Sequence, residues 1–490
     1  MKMKKVLSVV LAIFTALAVT ACADNATSVT SGTSNKESVD NSESASKNSS
    51  DENVTIPNTP NKVDDTLPQC EPANIGNEAG TNVYNRIMKG TDGYYYSQHP
   101  WEYRENATGE MKVYYYNEMP LYYYDTETGK SIILCSKPQC LHDGNEFCAA
   151  TSSKGQLYYN CLYNGYIYKI NSKRTEVEDT LVLQLLRADL QGNELSLVTD
   201  IAQFIDRYPP KLHNVVVHCG KMFITMTTYV AEDSGTKHLY VIDLESGEVK
   251  EINVPDAQKY ETYAYMTADG DYLYYTTEDI KYDSINKYMI RELKTVMHRY
   301  NIKTGETEIL SALPDAYSSF TVNSGIIYYT VVDRAENTFS LYAYDTAKNE
   351  TKTLIENHKL DYVDGKYLSE RNNVSVFTDR KYLYVLTAGR YNICNSMNKA
   401  DAEFHIYDFD GKKLYEGVPG IDKERTEWWE YEFSAIDGNV YFYYNISDNS
   451  DALYFDEITG LYTIKTEDLI NGKTDWTRLY KTSSSMGGMG

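Results

Sequence analysis

Ala268-Asp269-Gly270-Asp271-Tyr272-Leu273-Tyr274-Tyr275-Thr276, followed by Arg299-Tyr300-Asn301-Ile302-Lys303-Thr304-Gly305-Glu306-Thr307-Glu308, forms a two-part phrase that returns along the chain. The first part is a tight turn running into a Tyr-rich segment. The second has the form aromatic-Asp/Asn-x-x-Thr/Ser-Gly-Glu. Its Gly tolerates positive φ, and the preceding Asp can accept hydrogen bonds from its own backbone two residues on, so the spacing predicts a strand-turn-strand hairpin.

Working outward, the first part recurs at Gly93-Tyr94-Tyr95-Tyr96, Gln156-Leu157-Tyr158-Tyr159, Lys221-Met222-Phe223-Ile224, Ile326-Ile327-Tyr328-Tyr329, Lys381-Tyr382-Leu383-Tyr384 and Asn439-Val440-Tyr441-Phe442. The second recurs from Tyr124, Ala188, Ile242, Tyr344 and Tyr407, with a degenerate copy at Ile464-Lys465-Thr466-Glu467-Asp468. Each unit also supplies a preceding strand, such as Phe320-Thr321-Val322, and a following one, such as Glu350-Thr351-Lys352-Thr353-Leu354. Four strands per unit, returning about seven times, predict an all-β fold, a β-propeller of about seven four-stranded blades spanning 69–482. The 47 Tyr fit this reading. A Tyr ring packs on a neighbouring sheet while its hydroxyl reaches water or a backbone acceptor, so half-buried strands suit it.

The repeats resemble the Tyr-rich propellers of bacterial surface lipoproteins and, more distantly, the YWTD propellers of lipoprotein-receptor ectodomains. Tyr274-Tyr275-Thr276 and Tyr328-Tyr329-Thr330 stand where the latter have Tyr-Trp-Thr, but Thr277 and Val331 follow in place of Asp. YWTD propellers have six blades, against the seven counted here. The resemblance implies a propeller and supplies no catalytic residues.

The N-terminal stretch carries its own address. Lys2, Lys4 and Lys5 precede an apolar run from Val6 to Val19, too short for a stable transmembrane helix, so residues 1–21 read as a secretory signal. The sequence Val19-Thr20-Ala21-Cys22 resembles a bacterial lipobox, which implies that Cys22 is lipidated and becomes the mature N-terminus. Residues 22–68 are rich in Ser, Asn, Thr and charged residues, and no aromatic residue occurs between Phe14 and Tyr84. Such a segment cannot offset its ordering entropy and is expected to be a flexible linker, as is the tail 483–490. The expected location is the extracytoplasmic face of a bacterial cell membrane, with the lipid as the membrane partner.

The chemically distinctive stretch is Cys135-Ser136-Lys137-Pro138-Gln139-Cys140-Leu141-His142-Asp143-Gly144-Asn145-Glu146-Phe147-Cys148. Cys135, Cys140, His142 and Cys148 could hold a structural zinc ion as a Cys₃His set, although the spacing matches no standard zinc class. Alternatively two of the thiols staple the loop as a disulfide, which export to an oxidising compartment favours. Cys161 and Cys219 read as small core residues.

Trp101, beside His99 and Glu102, and Trp428 with Trp429, beside Glu427 and Glu430, set aromatic rings among carboxylates. That mixture stacks on sugars, and packing between blades is its competing reading. The net charge of −23, more negative still once the leader's lysines are removed, argues against nucleic-acid partners. The sequence has no G-x-S-x-G, phosphate loop, dinucleotide fingerprint or H-E-x-x-H. These features favour a binding or scaffold protein whose loops contact a protein, peptide or glycan. A glycan-active lyase or hydrolase working from the propeller channel and a structural envelope spacer are the alternatives.

Overall fold

The computed structural model describes the chain from Ile87 to Ser483 apart from connecting stretches, chiefly 98–100, 106–110, 116–120, 141–147, 151–158, 206–209, 230–234, 255–261, 283–289, 315–318, 361–373, 388–402, 418–429 and 448–456. Its strands form seven four-stranded antiparallel sheets at 87–133, 159–205, 211–251, 262–309, 319–359, 374–417 and 430–483, here blades 1 to 7. Within each blade the strands run in chain order from one edge to the other. The first strands of successive blades touch one another from blade 1 to blade 6, so they line the centre and the fourth strands form the rim.

Seven hydrophobic clusters fill the seams. One example joins Tyr95, Tyr123 and Leu134 of blade 1 to Ile167 and Leu190 of blade 2. Another joins Tyr384, Phe404 and Ile406 of blade 6 to Phe433, Val440 and Phe442 of blade 7. The seventh joins Tyr441 and Leu479 of blade 7 to Tyr94 and Tyr124 of blade 1, which closes the ring. The fold is therefore a seven-bladed β-propeller, as the repeat predicts.

Burial follows from this geometry. Second strands have a neighbouring blade on both faces, and all five residues of Leu383–Thr387 are buried. Rim strands face solvent, and Glu350–Lys359 is largely exposed and carries Glu, Lys and Thr, which blunts an open sheet edge.

The Asp of the repeat does what its spacing predicts. Asp125 Oδ1 accepts from Glu127 N at 2.9 Å and Asp125 O from Gly129 N at 2.9 Å. Asp189, Asp243, Asp345 and Asp408 accept the corresponding backbone bonds at 3.1, 3.2, 3.0 and 3.1 Å. Asn301 performs the same task with its amide oxygen, at 2.9 Å from Lys303 N. In blade 5 the positive-φ position falls to Asn349, at φ 57°. In blade 7 a short helix, α1 (Thr466–Ile470), replaces the hairpin turn, which accounts for the degenerate copy there.

Two expectations are corrected and one element is new. In blade 2 the phrase sits one strand later than Gln156–Tyr159: Tyr159–Tyr163 is the innermost strand, and the second strand is Tyr166–Arg174 after an Asn164-Gly165 turn. Both strands are rich in Tyr, so composition does not distinguish them. Cys219 is not a core residue. It occupies the turn between the first two strands of blade 3 at φ 49°, whereas Cys161 is fully buried as expected. A separate two-stranded sheet, Trp101–Glu105 paired with Met111–Tyr115, is inserted between the second and third strands of blade 1.

Candidate functional site

Antiparallel order places the connections between strands 1 and 2 and between strands 3 and 4 on one face of the ring, and all others on the opposite face. The first face is made of tight turns, two residues long at 164–165, 219–220, 270–271 and 324–325. These turns also stitch the blades together. His218 Nε2 bonds Gly270 O at 2.7 Å, Gly325 N donates to Asp269 Oδ2 at 2.8 Å, and Gly220 N donates to Tyr163 Oη at 2.7 Å. Asp379 accepts from Gly438 N across the seam between blades 6 and 7.

A cleft of about 490 Å³ opens on this face among Asp269, Asp271, Tyr272, Arg299, Thr346 and Arg380. Its described charges are largely engaged already. Arg299 lies over the Tyr272 ring at 4.5 Å and donates to Glu308, and Asp271 pairs with Lys303 at 2.8 Å.

The opposite face carries the long connections of unequal length, including 98–120, 134–158, 360–373, 388–402, 418–429 and 448–456. Trp101 lies on the inserted hairpin in this set, paired in register with Tyr115. Trp428 and Trp429 belong to the connection that enters blade 7 at Glu430, and they lie outside the described residues. Blades 7 and 1 are neighbours across the closing seam, so the two Trp-bearing connections spring from adjacent blades on one face.

The Cys135 to Cys148 loop leaves the rim of blade 1 and enters blade 2. Its ends are fixed by both blades. Ser136 Oγ donates to Gly192 O at 3.4 Å, Leu121 N to Ala150 O at 2.7 Å, and the buried Lys169 Nζ to Ala149 O at 2.8 Å. Gly192 is required there, because a Cβ would stand 2.7 Å from Leu134 O at a φ of 71°. The sulfurs of Cys135, Cys140 and Cys148 all lie within 4.8 Å of one another, with Cys148 fully buried. His142, the expected fourth ligand, lies outside the described residues.

Burial, reinforced by the nearby Cys148, pushes the Cys135 thiol up to about 11. A thiol in that state is a poor nucleophile, and a bound cation would reverse the effect by taking the thiolate. Three sulfurs in a tetrahedral zinc site stand roughly 3.8 Å apart, against the 4.8 Å within which these three lie.

The strand histidines are held by local partners. His213 meets Thr227 Oγ1 at 2.7 Å, His238 bridges Thr228 and Glu251 at 2.8 Å each, and His298 meets Thr277 Oγ1 at 2.9 Å. His358 and His405 meet each other in the seam between blades 5 and 6, with ring centroids 5.1 Å apart.

No protein-family model matches the sequence, and no curated protein matches it. Solved structures do match in shape. The β-propeller domain of the trilobed protease from Pyrococcus furiosus, whose title describes an open velcro topology, is 12% identical at a TM-score of 0.40, covering 83% of this chain and 98% of that one. Dipeptidyl peptidase 4 from Porphyromonas gingivalis is 11% identical at a TM-score of 0.39, covering 85% of this chain; this chain spans about half of its length, 54%. TolB from Acinetobacter baumannii is 12% identical at a TM-score of 0.29, covering 79% of this chain and 82% of that one. At these identities and TM-scores the likenesses carry no functional argument, and the fold itself, seven four-stranded antiparallel blades, is what identifies the chain as a β-propeller.

Proposed function

We propose that this chain is a lipid-anchored extracytoplasmic binding protein whose long-connection face contacts a protein, peptide or glycan. The observation that carries the reading is the asymmetry of the ring: short turns on one face, except for the helix-bearing connection 466–476 of blade 7, and mostly longer connections of unequal length on the other. A scaffold that fixes its strands and varies its loops on one face is built for recognition. The connections that carry Trp101 and, in sequence, Trp428 and Trp429 belong to this face, and Trp among carboxylates is a composition suited to a sugar or a peptide side chain. The anchor is Cys22, from the lipobox-like Val19-Thr20-Ala21-Cys22. None of the helices in the described residues is long and apolar enough to cross a membrane.

The test has two arms. Cys22→Ala should release the protein into the medium or leave its precursor uncleaved, and unchanged membrane attachment with normal processing would refute the anchor. For the head, glycan and peptide arrays probed with the purified chain should give hits that weaken at least tenfold in W101A and in the W428A/W429A pair, with melting temperature within a few degrees of wild type. Hits unaffected by both variants, or no hits at all, would count against this face as the binding surface.

A further inference from the structure

His358, His405 and Glu416 are separated by long stretches of chain and meet in the seam between blades 5 and 6. His358 lies near the end of the rim strand of blade 5 (Glu350–Lys359), in register opposite Phe339. His405 lies in the third strand of blade 6 and is directly paired with Glu416 of the rim strand Lys413–Gly417. Direct cross-strand partners project to the same side of a sheet, so the imidazole and the carboxylate share one face. That face is the one turned to blade 5, because the His405 ring touches both His358 and Phe339 there. One donor atom from each of the three residues lies within 4.8 Å of the other two, and His405 Nδ1 stands 3.6 Å from Glu416 Oε1.

We infer that His358, His405 and Glu416 form a binding site for a Zn²⁺-type divalent cation, pinning blade 5 to blade 6. Two imidazoles and a carboxylate are a donor set suited to borderline metals and poorly suited to Ca²⁺ or Mg²⁺, which prefer all-oxygen ligands. In a tetrahedral site such donors stand roughly 3.3 Å apart, close to the 3.6 Å between His405 and Glu416.

The surroundings also fit. Phe339 packs against both rings, at 5.0 Å from His358 and 6.4 Å from His405, and Tyr407 stacks on His405 at 6.0 Å, so the imidazole planes are braced. Lys413 bonds Glu416 Oε2, leaving Oε1 turned to the histidines; this is the outer support that fixes a ligand carboxylate's orientation. Glu416 is 39% exposed while His405 is fully buried, so the carboxylate side of the cluster faces solvent.

The test titrates the chelator-stripped full-length chain, in detergent, with Co²⁺ as a spectroscopic probe. A His₂-carboxylate site gives visible d–d bands without thiolate-to-metal charge transfer, which separates it from any metal in the Cys135 to Cys148 loop. The expected result is one such Co²⁺ per chain, displaced by Zn²⁺. Affinity should fall at least tenfold in H358Q and in E416Q, and Zn²⁺ should raise the melting temperature of the wild type but not of these variants. His405 is left intact because its substitution disturbs a buried seam. The inference is overturned if every bound Co²⁺ shows thiolate charge transfer, if none binds, or if both variants keep wild-type affinity.

Discussion

At the scale of single residues, side chains in this propeller are decided by what they face. His298 and His405 both stand three residues before the turn residue of their unit, Asn301 and Asp408. His298 is fully buried, stacked on Tyr275 at 4.9 Å and 4°, and bonded to Thr277 Oγ1. Burial disfavours the charged imidazolium and lowers its pKa from 6.5 to about 4. The unfolded chain therefore takes up a proton near 6.5 that the folded chain accepts only near 4. The contribution is fully present above pH 6.5 and is lost as the pH falls toward 4. Between pH 7 and pH 5 it amounts to about 2 kcal/mol. Urea unfolding of wild type and H298Q at the two pH values should show the wild type losing about that much more than the variant. Equal losses in both would mean that His298 does not carry this dependence. Comparing the two proteins cancels the opposing effect of acid on a chain of net charge −23, whose self-repulsion eases as carboxylates protonate.

At the scale of elements, the hairpin turn was the most legible feature of the chain, because its requirements are local. An Asp or Asn that accepts its own backbone two residues on, and a Gly or Asn at positive φ, can be read without knowing what lies next door. Where the signal depends on neighbours, reading fails. The phase of blade 2 was lost because both of its inner strands are Tyr-rich, and Cys219 was misplaced because a small residue in a tight turn looks like one in a core. The His358, His405 and Glu416 cluster was invisible for the same reason, since it exists only through packing of one blade on the next.

The Cys135 to Cys148 loop lies between these cases: the sequence shows its residues, and the structure brings their sulfurs together. As a zinc clamp, the protein purified under oxidising conditions without added metal should hold about one zinc in this loop. It should expose three more reactive thiols on denaturation with chelator than without it, and H142A should weaken metal retention. As a disulfide staple, the loop should instead show a mass lower by two hydrogen atoms and no metal, with reduction costing about 2 to 5 kcal/mol of stability. Three free, metal-free thiols in native protein would exclude both.

At the scale of the whole molecule, the ring has one seam unlike the rest. Among the described residues every blade is built from four strands consecutive in its sheet, with blade 1 from the N-terminal side and blade 7 from the C-terminal side, so no described blade combines both ends of the chain. Six seams are backed by a covalent connection from one blade to the next. Among the described residues the seventh is held by side-chain packing, with Tyr94 edge-on to Tyr441 at 5.5 Å and 69°. The described buried members of its cluster are Tyr441 and Leu479. A seam without a covalent connection opens at lower free energy. Native-state hydrogen exchange should therefore find the amides of blades 1 and 7 opening below the global unfolding free energy, before those of blades 3 and 4. Tyr441→Ala removes a ring that is 1% exposed and should cost about 3 to 5 kcal/mol. That loss should widen the gap between the closing seam and the rest of the ring, and trypsin should cut first in blades 1 and 7. If blades 3 and 4 exchange as early as blades 1 and 7, or if Tyr441→Ala lowers protection equally in all seven, the closing seam is no weaker than the others and the ring unfolds as one cooperative unit.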